Sequence, residues 1–325
     1  MSCKLFVTLA LICFSSCSIC HTYNHTEHNQ TLPSFVLTEK IGHGVLNISS
    51  PLDNLHSPLH LSQMDDHDTA AQINVVNQGT QSMLRRFVMI TTPRSGSWML
   101  LDILSHHPNI SCKEELLYPG YTIEAFNTTT IPRKTLLNWL YNKMDSNFPE
   151  QTVGFKVHLE HLNYHNLTAA DLHYTLEKPQ LIILYRLNML DIYVSREIAC
   201  KTGVWVTRDV SAMVGVQVNV DWNKYLQYRD SIIADWLALK KTLDELDTKY
   251  IIVCYEDVVA SRSKELRKIE KFLGVQEWSM YYTLTKQNPG ELSEKVSNYA
   301  DIAQYLSNKT LIEFDVKKLF DSNKD

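Results

Sequence analysis

The residues best placed to do chemistry in this 325-residue chain lie within 87–115, FVMITTPRSGSWMLLDILSHHPNISCKEE. Residues 87–91 form a short apolar, β-branched run, as a buried central strand requires. Pro93 ends that run. Arg94, Ser95, Gly96 and Ser97 then supply one permanent cation, two hydroxyls and a glycine. Trp98, Met99, Leu100, Leu101, Ile103 and Leu104 spell one apolar helical face. A strand that turns through small residues into a helix aims backbone N–H groups and the helix dipole at one point, which makes an anion site. Arg94 adds a planar donor fork matched to phosphate or sulfate. Gly96 permits close backbone approach. The GxxxxGK[ST] pattern is absent, so this is not the nucleoside-triphosphate loop.

Further groups stand at intervals along the chain. Glu114 and Glu115 form an acid pair 20 and 21 positions after Arg94. Lys156 sits in VGFKVHLEHL with His158 two residues on, and Arg186 follows the run LIILY. An acid, an imidazole and fixed cations are the parts of a proton transfer coupled to the loss of an anionic leaving group.

These groups need a scaffold. Hydrophobic periodicity predicts strands over 87–91, 152–158, 180–185 and 250–254. Helices are predicted over 96–106, 189–200, 221–247 and 261–273, with mixed helical segments across 121–148. Strands alternating with helices indicate an α/β, three-layer fold with a central, mostly parallel sheet. Such sheets bind ligands at the carboxyl ends of their strands. Arg94, Lys156, Arg186 and Tyr255 all fall at or just past a predicted strand end.

Four ordered segments carry a family resemblance. PRSGS after a strand resembles the 5′-phosphosulfate loop of sulfotransferases, whose donor is 3′-phosphoadenosine-5′-phosphosulfate (PAPS). LIILYRLNMLDIYVSREIA at 181–199 looks like that family's 3′-phosphate site. YIIVCYEDVVASRSKELRKIEKFLGV at 250–275 resembles its strand, Tyr-Glu-Asp turn and helix. ELSEKVSNYADIAQYL at 291–306 is similar to its closing segment, in which Lys295 and Asn298 sit near the donor. The resemblance covers roughly residues 85–310 and implies the P-loop-NTPase-like sulfotransferase architecture.

It also implies roles. Arg94, Ser95, Gly96, Ser97 and Trp98 would form the phosphosulfate loop. Arg186 and Ser195 would hold the 3′-phosphate, Tyr255 would contact adenine, and Lys295 would close the site. Ser195 stands nine positions after Arg186 where the family spacing is eight. Arg186-Leu187-Asn188-Met189-Leu190 fits the R-x-N-x-L form of carbohydrate sulfotransferases. HPNISCKEE resembles the H-P-x-x-x-C-x-E pattern of tyrosylprotein, nodulation-factor and glycolipid sulfotransferases, which implies Glu115 as catalytic base. Lys156-Val157-His158-Leu159 is close to the histidine-base context of cytosolic sulfotransferases, with Glu160 where those have proline, so His158 is the alternative base. Lys156 and Arg94 would stabilise the departing phosphate, with no metal required. The acceptor implied is a hydroxyl of a carbohydrate or glycoconjugate, with protein tyrosine the alternative. A secreted anion-binding protein that kept the fold without catalysis is the rival of another class.

The rest of the chain bounds the setting. Net charge is −5, which argues against a general nucleic-acid partner. Residues 1–20 read as a signal peptide or a short retained anchor, and only a retained anchor would give membrane attachment. Seven N-x-[ST] triplets begin at Asn24, Asn29, Asn47, Asn109, Asn127, Asn166 and Asn308. Together with the leader they place the chain in the secretory pathway, in the Golgi lumen or secreted. Residues 21–85 read as a flexible stem. Its histidines (His21, His25, His28, His43, His56, His60, His67) lack fixed ligand spacing and read as solvated. Outside the leader only Cys112, Cys200 and Cys254 remain, too few for a disulfide framework. The transferase domain is expected over 86–325.

Overall fold

Val88 and Ile90 face one hydrophobic cluster and Phe87 and Met89 face another, and all four are fully buried. That double burial makes strand β1 (Arg85–Thr91) the centre of a layered structure. The computed structural model describes residues 84–145, 152–206, 214–279 and 290–321, all within the unit Thr80–Asp325. The leader and nearly all of the stem lie outside the described residues, as do the triplets at Asn24, Asn29 and Asn47.

β1 leads through helix α1 (Ser97–Ser105) to β2 (Ile110–Lys113). Helices α2 (Pro119–Phe126) and α3 (Arg133–Lys143) precede β3 (Thr152–His158). Two short helices, α4 (Leu159–Tyr164) and α5 (Ala169–Thr175), lead to β4 (Gln180–Tyr185). The long helices α6 (Met189–Thr202) and α7 (Trp222–Asp244) precede β5 (Tyr250–Cys254). Then come α8 (Tyr255–Ala260), α9 (Arg262–Leu273), α10 (Leu292–Lys295), α11 (Tyr299–Leu306), α12 (Lys309–Ile312) and α13 (Val316–Asp321). The sheet order is β2-β3-β1-β4-β5 and every pairing is parallel.

One face of the sheet packs on α1 and α9 through Leu100, Ile103, Leu104, Ile269 and Leu273. The other packs on α3, α5, α6 and α7 through Leu136, Leu172, Ile192 and Trp236. The expected three-layer α/β fold is therefore present. From β1 the chain winds first to β2 and β3 and then, on the opposite side, to β4 and β5. The crevice outside the carboxyl end of β1 is the switch point where such folds bind ligands.

Several boundaries differ from the sequence expectation. β1 begins at Arg85 rather than 87, because Arg85 and Arg86 pair with Thr152 and Val153. β2 was not foreseen: it is a four-residue edge strand, ISCK, only partly buried and without an apolar run. The Tyr-Glu-Asp turn opens a short helix, α8, instead of a simple turn.

Gly154 has a clear steric reason. A Cβ there would lie 2.1 Å from the ring of Phe87, which is fully buried on the neighbouring strand. Gly154→Ala is expected to destabilise the domain by about 2–3 kcal/mol through overpacking. Thermal unfolding of the variant checks it, and an unchanged Tm would refute the steric account.

Candidate active site

The turn after β1 is held in an unusual backbone form. Arg94 has φ 64° and Gly96 has φ 81°. A left-handed arginine is uncommon and marks a loop fixed by its surroundings. Gly96 is required twice over, since a Cβ there would also lie 2.3 Å from the Tyr255 ring. As the N-cap of α1 it offers no side-chain acceptor to the first helical N–H groups. Those donors and the positive end of the helix dipole are thus directed at the switch-point crevice. The Ser95 hydroxyl is buried 2.7 Å from that of Thr92, so it braces the loop from within. Ser97 is buried as the first residue of α1.

Around this loop the structure gathers most of the residues expected from sequence. Arg94 donates through Nε to the hydroxyl of Ser195 on α6 at 2.9 Å. The nine-residue spacing from Arg186 thus leaves Ser195 at the loop. Arg186 donates to the Arg94 carbonyl at 3.5 Å and pairs with Asp191 at 2.6 Å and Glu256 at 3.8 Å. Its guanidinium also lies 5.1 Å from the centre of the Tyr255 ring. Burial, and secondarily the charge of Arg186, brings the Arg94 pKa down to about 10. Two guanidiniums this close favour an anion between or beside them.

Lys295 is buried at the end of α10, where its carbonyl accepts from the Val218 N–H at 2.9 Å. Asn298, the other residue expected near the donor, is held by the chain before α7. Its amide accepts from the Val220 N–H and donates to the Val220 carbonyl, so it secures the chain entering α7.

The second group of residues lies beside the first turn of α1. Lys156 is fully buried inside β3, two residues before the strand end, on the sheet face that meets α1. Its ammonium stands 2.7 Å from Glu115 Oε1 and 4.1 Å from the centre of the Trp98 ring. The contact commits the ammonium to one carboxylate oxygen of Glu115 and leaves the other free of it. Burial lowers the Lys156 pKa to about 8, against the opposing pull of Glu115. Trp98, expected in the phosphate loop, is therefore the apolar wall under this lysine.

Glu115 projects from the loop after β2. Its other oxygen, Oε2, lies 4.0 Å from His158 Nδ1 and 4.0 Å from His161 Nε2. Both imidazoles are buried. Burial holds His158 well below the usual histidine pKa, and it lowers His161 to about 3. Both candidate bases thus belong to one cluster, and both rings are neutral at neutral pH.

Sequence reasoning missed two residues here. His161 lies one turn after His158, an i, i+3 spacing that would have shown it had α4 been foreseen. Glu256, within the Tyr-Glu-Asp motif, accepts from the Leu187 N–H at 3.0 Å and the Asn188 N–H at 3.4 Å. It thereby fixes the backbone that presents Arg186.

Cys112, Cys200 and Cys254 are unbridged. Asn109, Asn127, Asn166 and Asn308 are all exposed. Among the described residues no helix is long and apolar enough to cross a membrane.

A family model described as "Sulfotransferase domain" matches residues 84–297, well over half of the chain. The search of curated proteins returned no match. Among solved structures, a sulfotransferase from Alicyclobacillus acidocaldarius is similar at 14% identity and TM-score 0.47, over 73% of this chain and 95% of that one. Mouse sulfotransferase SULT7A1, complexed with PAP, is similar at 16% identity and TM-score 0.36, over 61% and 63%. Sulfotransferase STF1 from Mycobacterium tuberculosis H37Rv is similar at 11% identity and TM-score 0.35, over 74% and 76%. At these identities and TM-scores the structures add nothing to the family match.

Proposed function

The chain belongs to the sulfotransferase domain family, and we propose that it moves a sulfuryl group from PAPS to a hydroxyl of a carbohydrate or glycoconjugate in the secretory pathway. The observation that carries this reading is the Glu115–Lys156 contact of 2.7 Å, with the ammonium packed on Trp98 in the first turn of α1, whose start has no side-chain cap. A carboxylate and a buried ammonium facing an anion loop supply both ends of a sulfuryl transfer.

In this reading the acceptor oxygen attacks sulfur in line as the bond from sulfur to the phosphate oxygen breaks. The acceptor proton passes to the Glu115 carboxylate. Negative charge grows on the departing phosphate, where Lys156, Arg94 and the N–H groups at the start of α1 meet it. The leaving phosphate draws Lys156 away from Glu115, which makes the carboxylate a stronger base as the proton arrives. Arg186 and Ser195, joined to Arg94, bind the second phosphate of the donor.

The acceptor side favours a neutral sugar. Tyr118 is 40% exposed and its ring stands 5.6 Å edge-on to His161, so an aromatic face opens beside the cluster. Glu160 lies near Glu115 and Asp235, its pKa raised to about 7 by burial, and Glu114 lies near Lys156. Arg196 is near Glu160 but is paired to Glu197 at 2.8 Å. Acidic peptides, the usual acceptors of tyrosylprotein sulfotransferases, would meet carboxyl groups there rather than a basic groove. The leader and the sequons, four of them on exposed asparagines, support a secretory setting.

Calorimetry of the full-length protein with 3′-phosphoadenosine-5′-phosphate (PAP), the product nucleotide, tests the donor site. Arg94→Ala is expected to weaken binding roughly 10- to 100-fold, the worth of one or two charge-assisted hydrogen bonds. If folded wild-type protein bound no PAP, the non-catalytic rival would replace this reading.

A further inference from the structure

We infer that Glu115, His158 and His161 form a binding site for a divalent transition metal, zinc by its ligand chemistry, and that the ion when bound blocks sulfuryl transfer. The inhibitory half rests on the reading of Glu115 as base; the binding half does not.

The geometry is that of three donor atoms close enough to be drawn onto one ion. One carboxylate oxygen and one nitrogen from each imidazole lie within 4.8 Å of one another. Both nitrogens are 4.0 Å from the same atom, Glu115 Oε2, while Lys156 occupies Oε1. Zinc bonds of about 2.0–2.2 Å place neighbouring tetrahedral ligands roughly 3.3–3.5 Å apart, so each imidazole nitrogen closes on the carboxylate oxygen by about half an ångström and the two nitrogens close on each other by up to about 1.4 Å. His-His-Glu with an open fourth position is a recurrent zinc ligand set. The two imidazoles come from the end of β3 and the first turn of α4, a rigid support.

Both rings are buried side by side. His158 is 8% and His161 4% exposed, and the nitrogens they turn toward Glu115 are Nδ1 of His158 and Nε2 of His161. Their rings pack at 4.7 Å between centres. Bound there, the ion takes up the carboxylate oxygen to which the acceptor proton must go. The opposing charge is Lys156, so the site competes with the ammonium for Glu115.

Cobalt(II) and zinc titrations of the metal-stripped full-length protein test this. Cobalt is expected to give visible absorption bands of a tetrahedral site and to be displaced by one equivalent of zinc. His161→Phe keeps the ring packing and removes a ligand, and it is expected to abolish those bands. Lys156→Met removes the competing charge and is expected to tighten zinc about tenfold. Folding of each variant is verified by circular dichroism. Glu115→Gln serves as a second ligand variant if His161→Phe does not fold. Retention of the cobalt spectrum in a folded ligand variant would overturn the site, and zinc held by the seven stem histidines would then explain any binding. Turnover with PAPS is expected to fall with zinc in wild type and to be insensitive in His161→Phe; equal inhibition of both would overturn the regulatory half. Absence of any PAPS turnover would refute the proposed function instead, leaving the cobalt result readable.

Discussion

Glu115→Ala is expected to lower turnover by about 10²–10⁴-fold while leaving PAP affinity within roughly threefold of wild type, as loss of a general base would. The separation follows from the geometry. Glu115 is on the loop after β2, at the edge of the sheet, whereas the donor loop begins at the end of the central strand. Its contacts are with Lys156 and the two imidazoles, and none is with Arg94, Arg186 or Ser195. Removing it therefore takes away the proton acceptor and spares the anion loop. Glu115→Gln sharpens the test, because it preserves shape and removes basicity. If His158 were the base, Glu115→Gln would retain most of its turnover and His158→Gln would lose it. Single-turnover rates with PAPS and an oligosaccharide acceptor panel decide between the two. Near-normal rates in both Glu115 variants would remove this residue from the chemistry.

The donor half of the site was legible in sequence because it is local. Thr91 to Ser97 is one continuous stretch, and its strand, turn and helix each leave a periodic or compositional mark. The R-x-N-x-L segment is equally continuous. What joins the two is not: Arg94 meets Ser195 across 101 residues, and Glu256 reaches back to the Leu187 amide. No spacing rule states such contacts. They depend on β1 and β4 being neighbours, which the order of elements alone does not fix. The acceptor half was less legible for a different reason. β2 is too short and too exposed to show a pattern, so Glu114 and Glu115 read as an isolated acid pair. Likewise the helix carrying His161 spans six residues, below the length at which helical periodicity speaks. Sequence could frame Glu115 and His158 as competitors. Only the fold shows them sharing one oxygen with a third residue between α4 and the strand ends.

Lys156→Met is expected to lower kcat/KM for PAPS by about 10²–10³-fold, the cost of removing one preorganised charge from a transition state. The lysine is fully buried, with its ammonium against Trp98, so water supplies little of the stabilisation it provides. Its pKa of about 8 makes the effect readable through pH. The active form is the protonated one. Below pH 8 the ammonium is present in the free enzyme, and as pH rises through about 8 it is lost. Wild-type kcat/KM for PAPS is therefore expected to fall on the alkaline side with a midpoint near 8, since that parameter reports the free enzyme. Lys156→Met should have no such limb. Lys156→Arg should move it to higher pH, because a guanidinium stays charged, with some rate lost to its different shape. Neither imidazole is expected to contribute a limb near pH 6.5, because burial keeps both neutral well below that pH. A lysine limb that persisted in Lys156→Met would assign the titration elsewhere. A Glu115→Ala/Lys156→Met double variant no slower than the worse single variant would show that the two residues act as one unit, as a base and a leaving-group cation coupled by a 2.7 Å contact should.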